Sequence, residues 1–238
     1  MKTSIKFISL ATLCVAVYTL QQATVQADDA TSNATITTLA GTDTVDPVDP
    51  TNPDKPGENP GDEGNNTGQT GPLQINYVSN LLFGDQVKLT GKTVEANIVN
   101  TATPYFQVSD LRGTGAGWKL NVTLGDFEQT QDKTKTIKGA QIQFSNGSVR
   151  TSNSTQGNAA TTSDLTLFAG ATGATALLTA DKGKGRGTWL AAYDKVASEA
   201  TNSKVKFSAP TESIDAQTPY EATLTWQLAD ASTAEAAQ

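Results

Sequence analysis

The run WKLNVTL (118–124) alternates apolar and polar side chains without a break. Successive residues of a strand point to opposite faces, so Trp118, Leu120, Val122 and Leu124 share one face while Lys119, Asn121 and Thr123 share the other. About a hundred residues later, YEATLTWQL (220–228) repeats the design. There Tyr220, Ala222, Leu224, Trp226 and Leu228 oppose Glu221, Thr223, Thr225 and Gln227. A period of two is incompatible with an amphipathic helix and predicts strands that bury one face. Two readings of the paired Trp stand side by side. In one they are core residues, each contributing a large apolar area and needing a partner for its indole N–H. In the other they face outward and stack on sugar rings. The Leu, Val and Ala that continue each stripe favour the core.

Short runs of the same kind fill the rest of the C-terminal part, broken by Gly, Asn, Asp, Ser and Pro. Strands are expected at LQINYV (73–78), QVKL (86–89), TVEANIV (93–99), YFQV (105–108) and AQIQF (140–144). Further strands are expected at SVR (148–150), DLTLF (164–168), TWLAAY (188–193) and KVKF (204–207). FSNGS (144–148) places Asn-Gly between two such runs, a hairpin signal. LAAYDKVASEA (190–200) reads weakly as a helix. Many short strands at regular spacing predict one all-β domain over 72–230, an antiparallel β-sandwich.

Upstream, residues 1–27 read as a secretory signal peptide. A basic start carrying Lys2 and Lys6 precedes FISLATLCVAVYTL (7–20), which is too short to span a membrane comfortably, and cleavage is placed after Ala27. Cys14, preceded by Leu13, is read as part of that apolar stretch rather than as a lipidation site. Residues 28–71 are acidic and Pro-rich, with no large aliphatic or aromatic side chain in the run from Asp49 to Gly71. Such a composition buries little apolar surface, and the segment is expected to be a disordered, semi-rigid tether. Residues 231–238 read as a short flexible tail. The exported chain then keeps no Cys, Met or His, so no disulfide framework holds it and a hydrophobic core must. A net charge of −7, more negative once Lys2 and Lys6 are removed, argues against nucleic acid or an anionic membrane as partner.

The same composition argues against catalysis. Without His there is no ordinary general base at neutral pH and no Ser-His-Asp triad. Without Cys or His there is no ordinary zinc site. Asp110, Asp126, Glu128 and Asp164 are carboxylates without a catalytic signature. No cofactor and no metal are expected. GKGRG (183–187) lacks the spacing of a phosphate loop and reads as a basic turn ahead of Trp189. Lys182, Lys184 and Arg186 make it a local positive cluster on an acidic chain. Arg112 either pairs with Asp110 to pin its Gly-rich loop or presents its guanidinium beside Trp118.

VSDLRGTGAGWKLNV (108–122), followed far downstream by YEATLTWQL, resembles the WxL domain of Gram-positive (low-GC, Lactobacillales-type) surface proteins. Trp118-Lys119-Leu120 and Trp226-Gln227-Leu228 match its two namesake motifs. Asp110, Arg112, Gly113 and Gly117 resemble the approach to the first motif, PLQINYVSNLLFG (72–84) resembles the start of the domain, and Trp189 resembles a less strict aromatic position. The resemblance implies a secreted, non-enzymatic protein held non-covalently at the cell wall, with peptidoglycan or an associated wall polymer as ligand. It also implies association with other surface proteins of WxL gene clusters. Trp118, Leu120, Trp226 and Leu228 are then the defining positions, with Trp189, Arg112 and Asp110 beside them. If the Trp pair is core, the ligand surface falls on the loops around 110–117 and 182–187. The alternative is a structural subunit that binds another secreted or anchored protein rather than glycan.

Overall fold

The computed structural model describes residues 31–57, 64–152 and 158–231. The expected signal peptide, with Cys14, lies outside the described residues, as does the expected tail beyond Ala231. Residues 31–37 belong to a separate short unit without regular structure. All strands lie in the unit that begins at Thr38.

In chain order the strands are β1 (Val48–Asp49), β2 (Asn52–Pro56), β3 (Asn65–Asn66), β4 (Leu73–Val78), β5 (Thr93–Ile98) and β6 (Tyr105–Asp110). Then come β7 (Trp118–Leu124), β8 (Glu128–Gln129), β9 (Gln141–Phe144), β10 (Ser148–Arg150), β11 (Thr161–Thr162) and β12 (Leu165–Phe168). The last are β13 (Thr175–Ala180), β14 (Gly187–Ala192), β15 (Asn202–Pro210), β16 (Tyr220–Glu221) and β17 (Leu224–Asp230). Three sheets carry the fold, in the orders β10-β14-β6-β4-β3, β11-β13-β7-β17 and β12-β9-β15-β5. Every pairing within them is antiparallel. The chain is thus the all-β antiparallel sandwich that the alternation predicts.

One apolar cluster fills the space between the sheets. Phe106 of β6, Trp118 and Leu120 of β7, Phe144 of β9 and Leu177 of β13 are all fully buried in it. Along β7 Trp118, Leu120, Val122 and Leu124 are buried and Lys119, Asn121 and Thr123 partly exposed, as a strand with one wet face requires. β17 alternates in the same phase but more weakly, because it is the edge of its sheet.

Four local expectations fail for identifiable reasons. QVKL (86–89) is exposed throughout and forms no strand; its alternation finds no sheet edge to join. LAAYDKVASEA is not helical: Leu190–Ala192 finish β14, and Leu190, Ala191, Ala192 and Tyr193 are all buried because this sheet is covered on both faces. The Asn-Gly turn exists, with Asn146 at φ 52°, but β9 and β10 that flank it belong to different sheets. Its amides bond outward, Ser145 N to Lys204 O at 2.8 Å and Asn146 N to Asp164 Oδ1 at 2.7 Å. β13 went unforeseen because a register shift between Ala176 and Leu178 breaks its alternation.

The acidic segment also departs from expectation. Residues 41–57 lie on the outer face of the five-stranded sheet rather than standing off it: Gly41 N bonds Leu111 O at 3.1 Å, and Gln74 and Gln107 bond the backbone of residues 43–48. Hydrogen bonds and stiff Pro residues replace the apolar burial that its composition lacks.

Tyr193 packs edge-on against Phe144, with ring centroids 5.3 Å apart, and burial pushes its phenol from 10 up to about 12. The folded state therefore holds the proton that the unfolded chain releases above pH 10. Stability is complete below pH 10 and falls as pH rises from 10 to 12. Two pH units correspond to about 3 kcal/mol. In urea titrations at pH 8 and pH 11.5, Tyr193→Phe is expected to show an alkaline stability loss smaller by about 2 kcal/mol.

Candidate functional site

The two Trp motifs become neighbours in the structure. β7 and β17 run antiparallel with Trp118 opposite Asp230, Leu120 opposite Leu228 and Val122 opposite Trp226. Trp118 and Leu120 are fully buried. Trp226 and Leu228 are half-buried on the same inward face, and the Trp226 ring lies 4.3 Å from that of Phe106 on β6. Trp189, on β14, is 3% exposed. None of the three indoles lies open on the surface as a platform.

The indole N–H groups of Trp118 and Trp189 have partners, as buried Trp requires. Trp118 Nε1 donates to Gly185 O at 3.0 Å, and Trp189 Nε1 donates to Arg186 O at 3.0 Å. Successive carbonyls of the GKGRG turn therefore hold two Trp, one from each of two sheets. Gly185 has φ 75°, and a Cβ there would meet Trp118 Nε1 at 2.5 Å. This close approach explains the Gly at that point of the turn. Gly185→Ala is expected to lower stability by about 1–3 kcal/mol from backbone conformation alone. The steric conflict with Trp118 adds to that cost, and the urea midpoint reads the sum.

The turn is tied down at several points. Gly183 N bonds Gly115 O at 2.7 Å, and Gly185 N bonds Asn158 O at 2.9 Å. Asn158 Nδ2 donates to Arg186 O at 3.0 Å. The Arg186 guanidinium lies over the α-carbon of Gly115, where a side chain would collide with it. The 111–117 and 181–187 loops are in this way joined into one surface at one end of the sandwich. Lys182 and Arg186 are exposed on it, and Lys184 Nζ lies 3.2 Å from Asp181.

Arg112 sits beneath this surface as a clamp. Its Nε and Nη2 donate to both Asp110 oxygens at 2.9 and 2.8 Å, its Nη1 reaches Asp230 Oδ2 at 2.5 Å, and Nη2 also donates to Gly117 O at 2.8 Å. The Asp110 side chain is 0% exposed, that of Arg112 13% and that of Asp230 32%. The Asp110 hydrogen bonds hold the Arg112 guanidinium above its ordinary pKa against the cost of burial, and the charges of both carboxylates reinforce them. One guanidinium thus joins the end of β6, the Gly-rich loop and the end of the second motif strand. Asp110 and Arg112 were legible from the sequence. Asp230 was not, since only the β7–β17 register brings it within reach.

The remaining carboxylates are dispersed. Asp164 accepts the Asn146 amide, Glu128 is 3.9 Å from Lys133 Nζ, and Asp126 packs against Gly170. Among the described residues no group of three or more His, Cys, Asp or Glu is placed to hold a metal ion.

A family model described as WxL domain surface cell wall-binding matches residues 25–231. The chain belongs to the WxL family. Comparison with curated proteins and with solved structures returned no match. The WxL domain is a cell wall-binding surface domain, which places the protein at the cell wall or cell surface. No helix among the described residues is long and apolar enough to cross a membrane. The match begins upstream of the segment that lies on the five-stranded sheet, so that segment falls within the span of the WxL model.

Proposed function

We propose that the protein attaches non-covalently to peptidoglycan, without catalysis, and that its Trp motifs serve by building the domain rather than by touching the ligand. The observation that carries this reading is the complete burial of Trp118 and Leu120, with the Trp118 indole N–H spent on Gly185 O. A ring with no exposed face cannot stack on a sugar. The ligand surface is the joined loop pair, where the Trp and the Arg112 clamp hold Lys182, Lys184 and Arg186 in place. A cationic surface on an acidic chain suits the carboxylates of peptidoglycan stem peptides. Asp110 is committed to Arg112, Asp164 to the Asn146 amide and Glu128 to the neighbourhood of Lys133, on separate elements, which supports the absence of catalysis.

Binding to purified sacculi whose carboxylates have been amidated tests the charge contribution. Affinity is expected to fall at least tenfold relative to untreated sacculi and to weaken with salt, as screened exposed charges do. Equal binding to both preparations would contradict it.

A second reading rests on β17, which forms the edge of its sheet with Leu224, Trp226 and Leu228 only half-buried. A strand edge of that kind suits a protein partner. Retention on intact cells together with failure to bind purified wall would favour it.

A further inference from the structure

The outer face of the five-stranded sheet is buried yet largely polar. Gln74 and Asn76 of β4 and Gln107 and Ser109 of β6 are each at most 2% exposed. What covers them is the extended DTVDPVDP segment (43–50). The recognition runs from carboxamide to backbone. Gln74 accepts from Val45 N at 3.1 Å and donates to Asp43 O at 2.9 Å. Gln107 accepts from Val48 N at 2.9 Å and donates to Asp46 O at 3.1 Å. Asn76 Nδ2 donates to Val45 O at 3.1 Å. Each Gln therefore brackets a dipeptide step of an extended chain, taking its N–H and returning a hydrogen bond to the carbonyl two residues before. At the far end Val48 packs on the cluster that contains Tyr77, Tyr105 and Leu190, and Arg150 donates to Pro50 O.

This is how a peptide site is built, not how a core layer is built. The segment joins no strand of the five-stranded sheet in register, and β1 within it pairs only with β2, which follows it. The carboxamides and hydroxyl beneath it return to water at little cost when it leaves, whereas an apolar layer would not. Pro47 and Pro50 pre-set the extended form and lower the entropy lost on docking.

We propose that this face is a receptor for an extended, Pro-containing peptide, that residues 43–50 occupy it reversibly in cis, and that the same residues of a second copy occupy it in trans. The second copy is the favoured occupant because every bracketing contact is to backbone that an identical segment reproduces. Molecules held at one cell surface also meet at high effective concentration, which favours exchange of an identical element.

The experiment is a complementation between two full-length exported variants. Val45→Pro/Val48→Pro removes both bracketed N–H donors and leaves the receptor face intact. Gln74→Ala/Gln107→Ala removes the receptor carboxamides and leaves the segment intact. Each variant alone is expected to be monomeric by light scattering, and the mixture is expected to give a 1:1 heterodimer. A mixture that remains two monomers overturns the proposal. Hydrogen exchange on the unmodified protein gives an independent readout. The amides of Val45 and Val48 are expected to exchange at least tenfold faster than those of β6, which marks local opening. If they exchange only as fast as the whole domain unfolds, the segment is an integral layer and the proposal fails, as it does if the Val45→Pro/Val48→Pro variant does not fold.

Discussion

Trp118→Ala is expected to bring the domain to the edge of unfolding. The ring is fully buried in the main cluster, and truncation of a buried Trp costs about 3–5 kcal/mol through lost apolar contact and the cavity left behind. The carbonyl of Gly185 also loses its donor, which adds about 1–3 kcal/mol if no water reaches it. The sum rivals the whole stability of an ordinary domain, about 5–15 kcal/mol. Trp226→Ala removes a ring that is only half-buried at a sheet edge, and its effect is expected to be clearly smaller. Trp118→Phe keeps most of the apolar area and isolates the lost hydrogen bond. Urea denaturation followed by circular dichroism orders the three. A Trp118→Ala midpoint equal to that of the unmodified chain would show that the motif does not hold the fold.

Arg112→Met is the second large effect. It leaves the Asp110 carboxylate, with a side chain 0% exposed, without its bidentate partner. Removing one member of a buried ion pair costs about 3–5 kcal/mol, because the charge that remains is neither solvated nor compensated. The change also removes the Arg112 hydrogen bonds to Asp230 and to the Gly117 carbonyl, so the end of β17 loosens beside the second motif. The double variant Arg112→Met/Asp110→Asn is expected to recover part of the loss, since the fully buried carboxylate no longer carries an uncompensated charge. The coupling is read from a double-mutant cycle. It is expected to survive high salt, which screens exposed pairs far more than buried ones. Additive single effects would refute the clamp.

Much of this arrangement was legible before the structure. The alternation of β7 and β17 gave both strands, the residues that share a face with each Trp and the shared design of the motifs; it favoured the core for Trp118 but left an outward platform open. Arg112 and Asp110, two residues apart at a Gly-rich turn, already carried the pairing that the structure shows. What escaped is what one strand cannot encode about another. Asp230 joins the clamp only through the register of β7 with β17. The carbonyls of Gly185 and Arg186 are generic in sequence and become specific only when two indoles converge on them. β13 hid behind a register shift, and β14 resembled a helix because small Ala residues fill a strand covered on both faces. The acidic segment was read as a tether since burial was judged from its own side chains. Its docking depends on Gln74 and Gln107, which lie elsewhere in the chain and bind its backbone.

The central claim is that the Trp motifs build the domain while the loop pair they anchor meets the wall. Co-sedimentation of residues 28–238 with protein-free peptidoglycan sacculi tests it most directly. Three forms are compared: the unmodified protein, Trp118→Phe, and Lys182→Ala/Lys184→Ala/Arg186→Ala, each shown to be folded by circular dichroism. The account predicts that the first two pellet with the sacculi and that the triple variant stays folded in solution. If the triple variant pellets fully while folded Trp118→Phe does not, the indole itself meets the ligand and the account is wrong.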